Sequence, residues 1–344
     1  MYEKLIQLLI WQIVRPGQSL VMGGTWRVPV MMKLLDRNFV KDLKSDGTFN
    51  ELSFAREYES EWSGSMEDAF FNSELFDKHR VLRQPEYSHS GRSAKDSYYV
   101  ISADIGRLGC QSVATVFKVT PQVQSSAIKT LVNIYTYDDE HFETQSVALK
   151  KLYFKYNART LVIDANGLGV GLVDYLIKSN VDNDTGETLP PFGVINDEDG
   201  NYKKYITQET ISEAMYLIKA NSEINSDAHV NVLTQLSSGK VKILIDERTA
   251  KAKLLATKVG KAMTPEERAE YLKPFTLTSI LKEEMMNLRE KREGKFVSLE
   301  VANRKIKKDK FSAFEYGLYY IKLVEDSARK KKKKIKLSDF MFFS

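Results

Sequence analysis

The sequence predicts a mixed α/β domain, a sheet with helices packed on its faces, and three observations predict it. Three runs rich in aromatic and β-branched residues, 98–103, 112–119 and 129–137, follow one another across short connections, as in an antiparallel meander. Helical and strand-like periodicities then alternate from residue 144 onward. Finally, two apolar runs each end in a carboxylate with a glycine close behind, at Asp104-Ile-Gly106 and Asp164-Ala-Asn-Gly167. An aspartate is costly to bury unless something binds it, so chemistry is expected at these two strand ends.

Composition bounds the rest. A chain of 344 residues can bury a sizeable core, as one large domain with appendages or as two domains. Its 42% hydrophobic and 28% charged residues are ordinary for a soluble globular protein. The net charge of +5 is mild, and the basic run 329–334 alone could supply much of it. Such a balance permits a polyanionic partner without requiring one. The single cysteine, Cys110, excludes an intrachain disulfide and a cysteine-based zinc site, and it fits a reducing cytoplasm. The apolar run 5–14 is too short to span a bilayer and no signal-peptide cleavage pattern follows it, so a cytosolic protein without membrane contact is expected.

In chain order, 2–14 has helical or strand-like apolar character, 16–18 is a turn, and 19–22 reads as a buried strand ending in Gly23-Gly24-Thr25. Residues 28–43 return to a helical pattern. Ser65 and Asp68, ahead of Phe70 and Phe71, have the spacing of a capping box. Residues 84–96, with Pro85 and Gly91 among serines and basic residues, read as a linker. After the meander, 144–156 carries a helical stripe, 160–163 is a short apolar strand, and 167–178 is a helix. A polar loop leads to a strand at 192–195. Helices are expected at 210–219, 265–272 and 280–291, strands at 240–245 and 296–301, and a strongly apolar helix at 311–324. The expected boundaries are a first unit over 1–83, a linker over 84–97, a catalytic domain over 98–326 and a basic tail over 327–344.

Three strands followed by helix, strand, helix and strand match the ribonuclease H-like arrangement, in which the strand carrying the first acid lies beside the fourth. Open α/β sheets place their sites at strand carboxyl ends, so Asp104 and Asp164 would end adjacent parallel strands. Carboxylates converging without a cation repel one another. Mg²⁺ or Mn²⁺ resolves that conflict, because hard cations want oxygen ligands. Two such ions about 3.5–4 Å apart can support phosphodiester hydrolysis. The third ligand should come from a later helix packed against the sheet. Asp309 fits, opening the apolar helix among Lys307, Lys308 and Lys310, although an aspartate there is also a favoured N-cap. The expected site is therefore Asp104, Asp164 and Asp309 around two ions, with Asp104 shared between them. Arg107, Asn166, Lys308 and Lys310 are the candidate DNA contacts.

Competing motifs are weaker. Gly167-Leu-Gly-Val-Gly171 is one residue too compact for a dinucleotide loop and reads as a tight strand-to-helix turn. The sequence contains no GxxxxGK[ST] phosphate loop and no GxSxG, and its four histidines show no metal-ligand spacing.

These residues resemble the large terminase subunit of tailed bacteriophages, in its C-terminal nuclease domain. Ser102-Ala-Asp104-Ile-Gly106 resembles the first acidic motif of that family and Val162-Ile-Asp164-Ala-Asn166-Gly-Leu-Gly169 the second. Lys308-Asp309-Lys-Phe-Ser-Ala313 resembles the third, where many members carry His-Asp-Asp; here Lys308 replaces the penultimate acid. Val21-Met-Gly-Gly-Thr25 resembles the end of the family's ATPase core, and 54–71 the segment before its nuclease linker. The resemblance implies that 1–83 is the remnant of a motor domain, so that ATP would act only through an upstream segment. It implies a metal-dependent endonuclease that cuts concatemeric double-stranded DNA with low sequence specificity, since such a site reads phosphates rather than bases. It also implies work with the portal protein and the small terminase subunit, as a homo-oligomeric ring on the portal, in the host cytoplasm and not in the mature virion. The tail 329–336 would then bind DNA or dock on the portal. Two alternatives stay open: a ribonuclease H-like resolvase or recombination nuclease, and a non-enzymatic DNA- or portal-binding module with a degenerate site.

Overall fold

The expected meander forms the middle of an eight-stranded mixed sheet in the computed structural model, which describes residues 10–15, 19–36, 38–41, 54, 58–59, 69–90, 96–106, 111–123, 125–138, 141–293 and 295–339. The chain divides into two units, 1–67 with 254–273, and 68–253 with 274–344. In the first unit β1 (Ile10–Arg15) pairs antiparallel with β2 (Ser19–Gly24), where a strand is expected, and the short helix α1 (Arg27–Met31) follows. The capping box expected at Ser65 and Asp68 lies outside the described residues, as does Cys110.

The second unit starts with α2 (Ser73–Lys78), whose N-cap Asn72 accepts from the backbone of Glu74 and Leu75, and the edge strand β3 (Arg80–Leu82). β4 (Tyr98–Asp104), β5 (Gln111–Thr120) and β6 (Ile128–Asp138) are the antiparallel meander. Then come α3 (Phe142–Tyr156), β7 (Ala158–Asp164) and α4 (Leu168–Leu176). The polar loop folds into a small ribbon of β8 (Asn180–Val181) and β9 (Thr188–Leu189) before β10 (Phe192–Val194) and β11 (Ile211–Ile218). In chain order there follow α5 (Ser222–Ser237), β12 (Val241–Leu244), α6 (Glu247–Leu255), α7 (Lys258–Ala262) and α8 (Pro265–Met286), of which 254–273 belong to the first unit, and then the hairpin β13 (Leu288–Glu293) and β14 (Phe296–Val301), and α9 (Asp309–Asp339).

Strand order across the sheet is β10-β11-β7-β4-β5-β6-β12-β3. β10, β11, β7 and β4 run parallel, β5 is antiparallel to both neighbours, and β12 and β3 run parallel to β6. The first meander strand thus lies between the second and the later β7, the ribonuclease H-like order. One face is covered by α9 and α5, through a cluster that includes Val100, Phe117, Val162, Val232, Phe311, Phe314 and Leu318. The other is covered by α3 and α4, through Tyr99, Ile101, Leu152, Tyr156, Leu161 and Leu172. Buried on both faces, β4, β5 and β7 read as continuous apolar runs rather than alternating ones.

Three expectations are corrected. Residues 210–219 hold β11, a strand paired between β10 and β7, and not a helix. A short apolar run such as Ala214–Ile218 does not distinguish strand from helix by periodicity, and here sheet pairing decides. Residues 265–286 are one helix, with Pro274 inside it, and the chain then turns into β13 where 280–291 was expected to be helical throughout. The helix α5 was not expected; its buried face carries His229, Asn231 and Gln235 beside Ala228, Val232 and Leu236, which blurs the apolar stripe. Among the described residues no helix is long and apolar enough to cross a membrane.

Candidate active site

Asp104 and Asp164 are the last residues of β4 and β7. The two strands are parallel neighbours in register, with Ile101 opposite Leu161, Ser102 opposite Val162 and Ala103 opposite Ile163. The next step in that register brings the two aspartates side by side at one end of the sheet, on strands about 4.8 Å apart. Side chains alternate along a strand, so Val100, Ser102 and Asp104 share a face, as do Thr160, Val162 and Asp164. That face is the one under α9: Thr115 donates to the carbonyl of Ala313 (3.0 Å), and the hydroxyls of Thr160 and Tyr320 are 2.9 Å apart. Gly317 lets α9 lie this close, since a Cβ there would meet Phe117 at 2.5 Å and Ser102 at 3.0 Å.

Asp309 is the first residue of α9. The amide of Ser312 donates to the carbonyl of Lys308 at 2.8 Å, so the N-cap position falls on Lys308 and Asp309 sits in the first turn. Helix, face and strand ends thus bring Asp104, Asp164 and Asp309 to one region, where they act on one another. Burial, then the charges of Asp309 and Asp164, push the Asp104 carboxyl up to about 7. Burial also raises Asp164, against the Asn166 amide and Lys308, and raises Asp309, against Lys310, Lys307 and Lys308. The exposed Lys308 is the cation that all three carboxylates feel. Among the described residues no three His, Cys, Asp or Glu side chains converge closely enough to hold a metal ion, so the three carboxylates stand apart.

The turns behind the strand ends are built to hold them. The amide of Asn166 donates to Asp164 Oδ1 (3.0 Å), and its side chain donates to the carbonyl of Ala220 (3.3 Å). Gly167 takes φ +55°, a conformation that favours glycine, which makes this the expected tight strand-to-helix turn. Behind Asp104, the amide of Gly106 donates to Ser112 Oγ (2.9 Å), Ser112 donates to Gln145 Oε1 (2.8 Å), and Gln145 Nε2 donates back to the Gly106 carbonyl (3.3 Å).

Of the residues expected to touch DNA, Asn166 and Lys308 are exposed at the site, and Arg107 lies outside the described residues. Lys310 is a correction. It is 7% exposed, its ammonium donates to Gln111 Oε1 (2.9 Å) and lies 3.4 Å from Glu284, so burial commits it to the protein interior. Sequence reasoning missed Glu284, a buried carboxylate that burial raises to about 7 and that feels the charge of Asp309.

No protein-family model matches the sequence, and no curated protein is similar to it. Among solved structures, the chain is similar to large terminase nucleases. The magnesium-bound nuclease from thermophilic phage G20c is 14% identical, with 71% of this chain and 95% of that one covered and a TM-score of 0.38. The nuclease domain from Thermus phage P74-26 is 13% identical over 71% and 93%, with a TM-score of 0.34. The large terminase of bacteriophage HK97 is 6% identical over 73% of this chain and 43% of that one, with a TM-score of 0.38. The phage G20c nuclease has also been crystallised with cobalt and with zinc.

Proposed function

We propose that this chain is a metal-dependent endonuclease, the nuclease portion of a phage-type large terminase, and that it hydrolyses phosphodiester bonds of concatemeric double-stranded DNA. The observation that carries the reading is the in-register pair of strand-end aspartates on the face crowned by the first turn of α9. The order of the three acidic motifs, resembling that of the terminase family, supports the packaging role. Asp104, Asp164 and Asp309 are the proposed metal ligands, Asp104 the central one.

The donor set fits Mg²⁺ or Mn²⁺: it is all carboxylate oxygen, and its members repel one another until a cation joins them. Two ions, when bound, would polarise the scissile phosphate and activate the attacking water. The protein's part is to hold the carboxylates at two strand ends and a helix start. Asp104, held up to about 7 by burial and by Asp309 and Asp164, would give up a proton on taking up a cation. Lys308 and Asn166, exposed beside the acids, would meet phosphate oxygens of the bound strand. The expected boundary at 83 moves to about residue 68, because α2 and the edge strand β3 belong to the unit that holds the sheet; the catalytic domain expected over 98–326 would take them in, with the motor-domain remnant expected over 1–83 shortened accordingly, 84–97 as a connecting segment within that unit and a basic tail over 327–344. Portal protein, small terminase subunit and further copies of this chain in a ring are its proposed partners, in the host cytoplasm.

Nicking of supercoiled plasmid tests the reading. Wild-type protein should convert it to open and linear forms with Mn²⁺ or Mg²⁺ and not with EDTA, and Asp104→Asn should slow this at least a hundredfold. Cleavage that survives that substitution unchanged, or wild-type protein inert with both metals, overturns it.

A further inference from the structure

α9 begins without an N-cap side chain of its own. Lys308 occupies the cap position and cannot accept a hydrogen bond, yet the backbone amide of Phe311, three residues on, is one of the orphan donors that a capping side chain normally satisfies. Glu284, in the last turn of α8, supplies the acceptor from a different helix: its Oε2 lies 2.8 Å from the Phe311 nitrogen. Its other oxygen faces the ammonium of Lys310 at 3.4 Å, and Lys310 reaches on to Gln111 at the start of β5, beside β4. Glu284 is 3% exposed and Lys310 7%, so this chain of contacts is shielded from water. The same end of α8 also holds the approach to α9. Asn287 donates to the carbonyl of Asn303 (3.0 Å) and accepts from its amide (2.9 Å), while the Asn287 carbonyl accepts from the amide of Ala302 (2.9 Å).

Asp309 is thus bracketed. The segment before it is clamped by Asn287 and the turn after it is capped by Glu284. A neutral acceptor would also satisfy the Phe311 amide. A carboxylate there adds a second, charged link through Lys310 to the strand beside Asp104.

Resting on the metal-site reading above, we propose that Glu284 is a positioning residue that sets Asp309 for metal binding by capping α9 from outside, with Asn287 as its counterpart on the approach. Partners that orient a metal ligand are typically worth about ten- to a hundredfold in affinity.

The test measures Mn²⁺ binding directly, by the paramagnetic resonance of the free ion, well below the melting temperature. Glu284→Ala should raise the Mn²⁺ dissociation constant about tenfold or more. Glu284→Gln, which keeps an acceptor for the Phe311 amide, should restore most of that loss. In an Asp309→Ala background Glu284→Ala should add nothing, because its effect runs through Asp309. Should Glu284→Ala not fold, Asn287→Ala with Glu284→Gln replaces it, and Asn287→Ala should weaken Mn²⁺ binding severalfold. Folded variants that bind Mn²⁺ like wild type, while Asp104→Asn does not, overturn the role of Glu284 and leave the metal site standing. Wild-type protein that binds no Mn²⁺ overturns both.

Discussion

Gly169 lies against the backbone of Asp164: a Cβ at residue 169 would stand 1.6 Å from the Asp164 carbonyl oxygen. The obstacle is backbone, so no side-chain rotation relieves it. Gly169→Ala must push the first turn of α4 away from the end of β7, with Asp164 at the point of contact. Such overpacking costs about 1–3 kcal/mol, and the melting temperature should fall accordingly. Gly167→Ala is the informative comparison. Nothing lies within 4 Å of a Cβ there, but φ +55° with ψ −112° lies outside the left-handed helical well and suits glycine alone, so the cost is conformational, about 1–3 kcal/mol. Both variants should lower stability, and Gly169→Ala should weaken metal-dependent cleavage more per folded molecule, since it alone displaces the chain at Asp164.

Asp104 contributes a pH dependence to the metal-free protein, in the same window as Glu284. Its carboxyl is raised from 3.8 to about 7, by burial first and then by Asp309 and Asp164. Between about pH 4 and 7 the folded protein keeps a proton that the unfolded chain has released. The Asp104 contribution to stability therefore falls as pH rises through that window and levels off above it. Asp104→Asn should remove this fall and stabilise the metal-free protein at pH 8 by about 2–4 °C for each kcal/mol regained. In the wild type a proton competes with the cation, so Mn²⁺ affinity should climb with pH up to about 7 and then flatten. Calorimetric melts with EDTA and Mn²⁺ titrations at pH 5.5, 6.5, 7.5 and 8.5 check both; affinity independent of pH would contradict the assignment.

What was legible in the sequence, and what was not, follows from where each signal sits. Asp104 and Asp164 stand out because a carboxylate ending a run of β-branched and aromatic residues has no local reason to be there, and the meander places their strands together. Glu284 could not be found that way. It sits in Lys282-Glu-Glu-Met-Met286, where an acid on a helix ordinarily reads as a solvated face, and its burial arises only where α8 meets the first turn of α9. Lys310 failed for the same reason: among Lys307, Lys308 and Asp309 it resembles a solvated lysine until the helix phase turns it inward. β11 failed because sheet neighbours, and not its own periodicity, decide its structure.

Lys150 gives a second pH signature, away from the acids. Among the described residues its buried ammonium has no carboxylate partner: it donates to the Lys178 carbonyl (2.5 Å) and Asn180 Oδ1 (2.6 Å) and lies 5.3 Å from the centre of the Phe192 ring. Burial lowers its pKa from 10.5 to about 7. Between those values the unfolded chain binds a proton that the folded protein does not, so this group makes stability rise with pH, by at most about 1.4 kcal/mol per pH unit. Lys150→Met should flatten the rise between pH 7.5 and 9.5. Parallel stability–pH curves for wild type and variant would refute the neutral, buried amine.

The middle of α9 tests whether anchoring and chemistry separate. Lys129 on β6 is fully buried, and its ammonium donates to Glu325 Oε2 (2.7 Å) and Gln235 Oε1 (3.1 Å); Glu325 also accepts from the amide of Ala127. Glu325 lies 16 residues along the helix from Asp309, about 24 Å at 1.5 Å per residue. Glu325→Ala strands a buried lysine and should cost about 3 kcal/mol or more, because removing one partner of such a pair leaves the other charge uncompensated. The double substitution Lys129→Met with Glu325→Leu replaces the pair by apolar groups of similar size, and it should recover most of that loss. Urea denaturation of the two single variants and the double closes the cycle, and a double variant no more stable than Glu325→Ala would refute the coupling. Metal-dependent nicking per folded molecule should match wild type in all three, because this contact fixes the helix to the sheet away from the carboxylates. A loss of nicking in the stable double variant would mean that the pair also sets the tilt of α9, and with it the height of Asp309 above the strand ends.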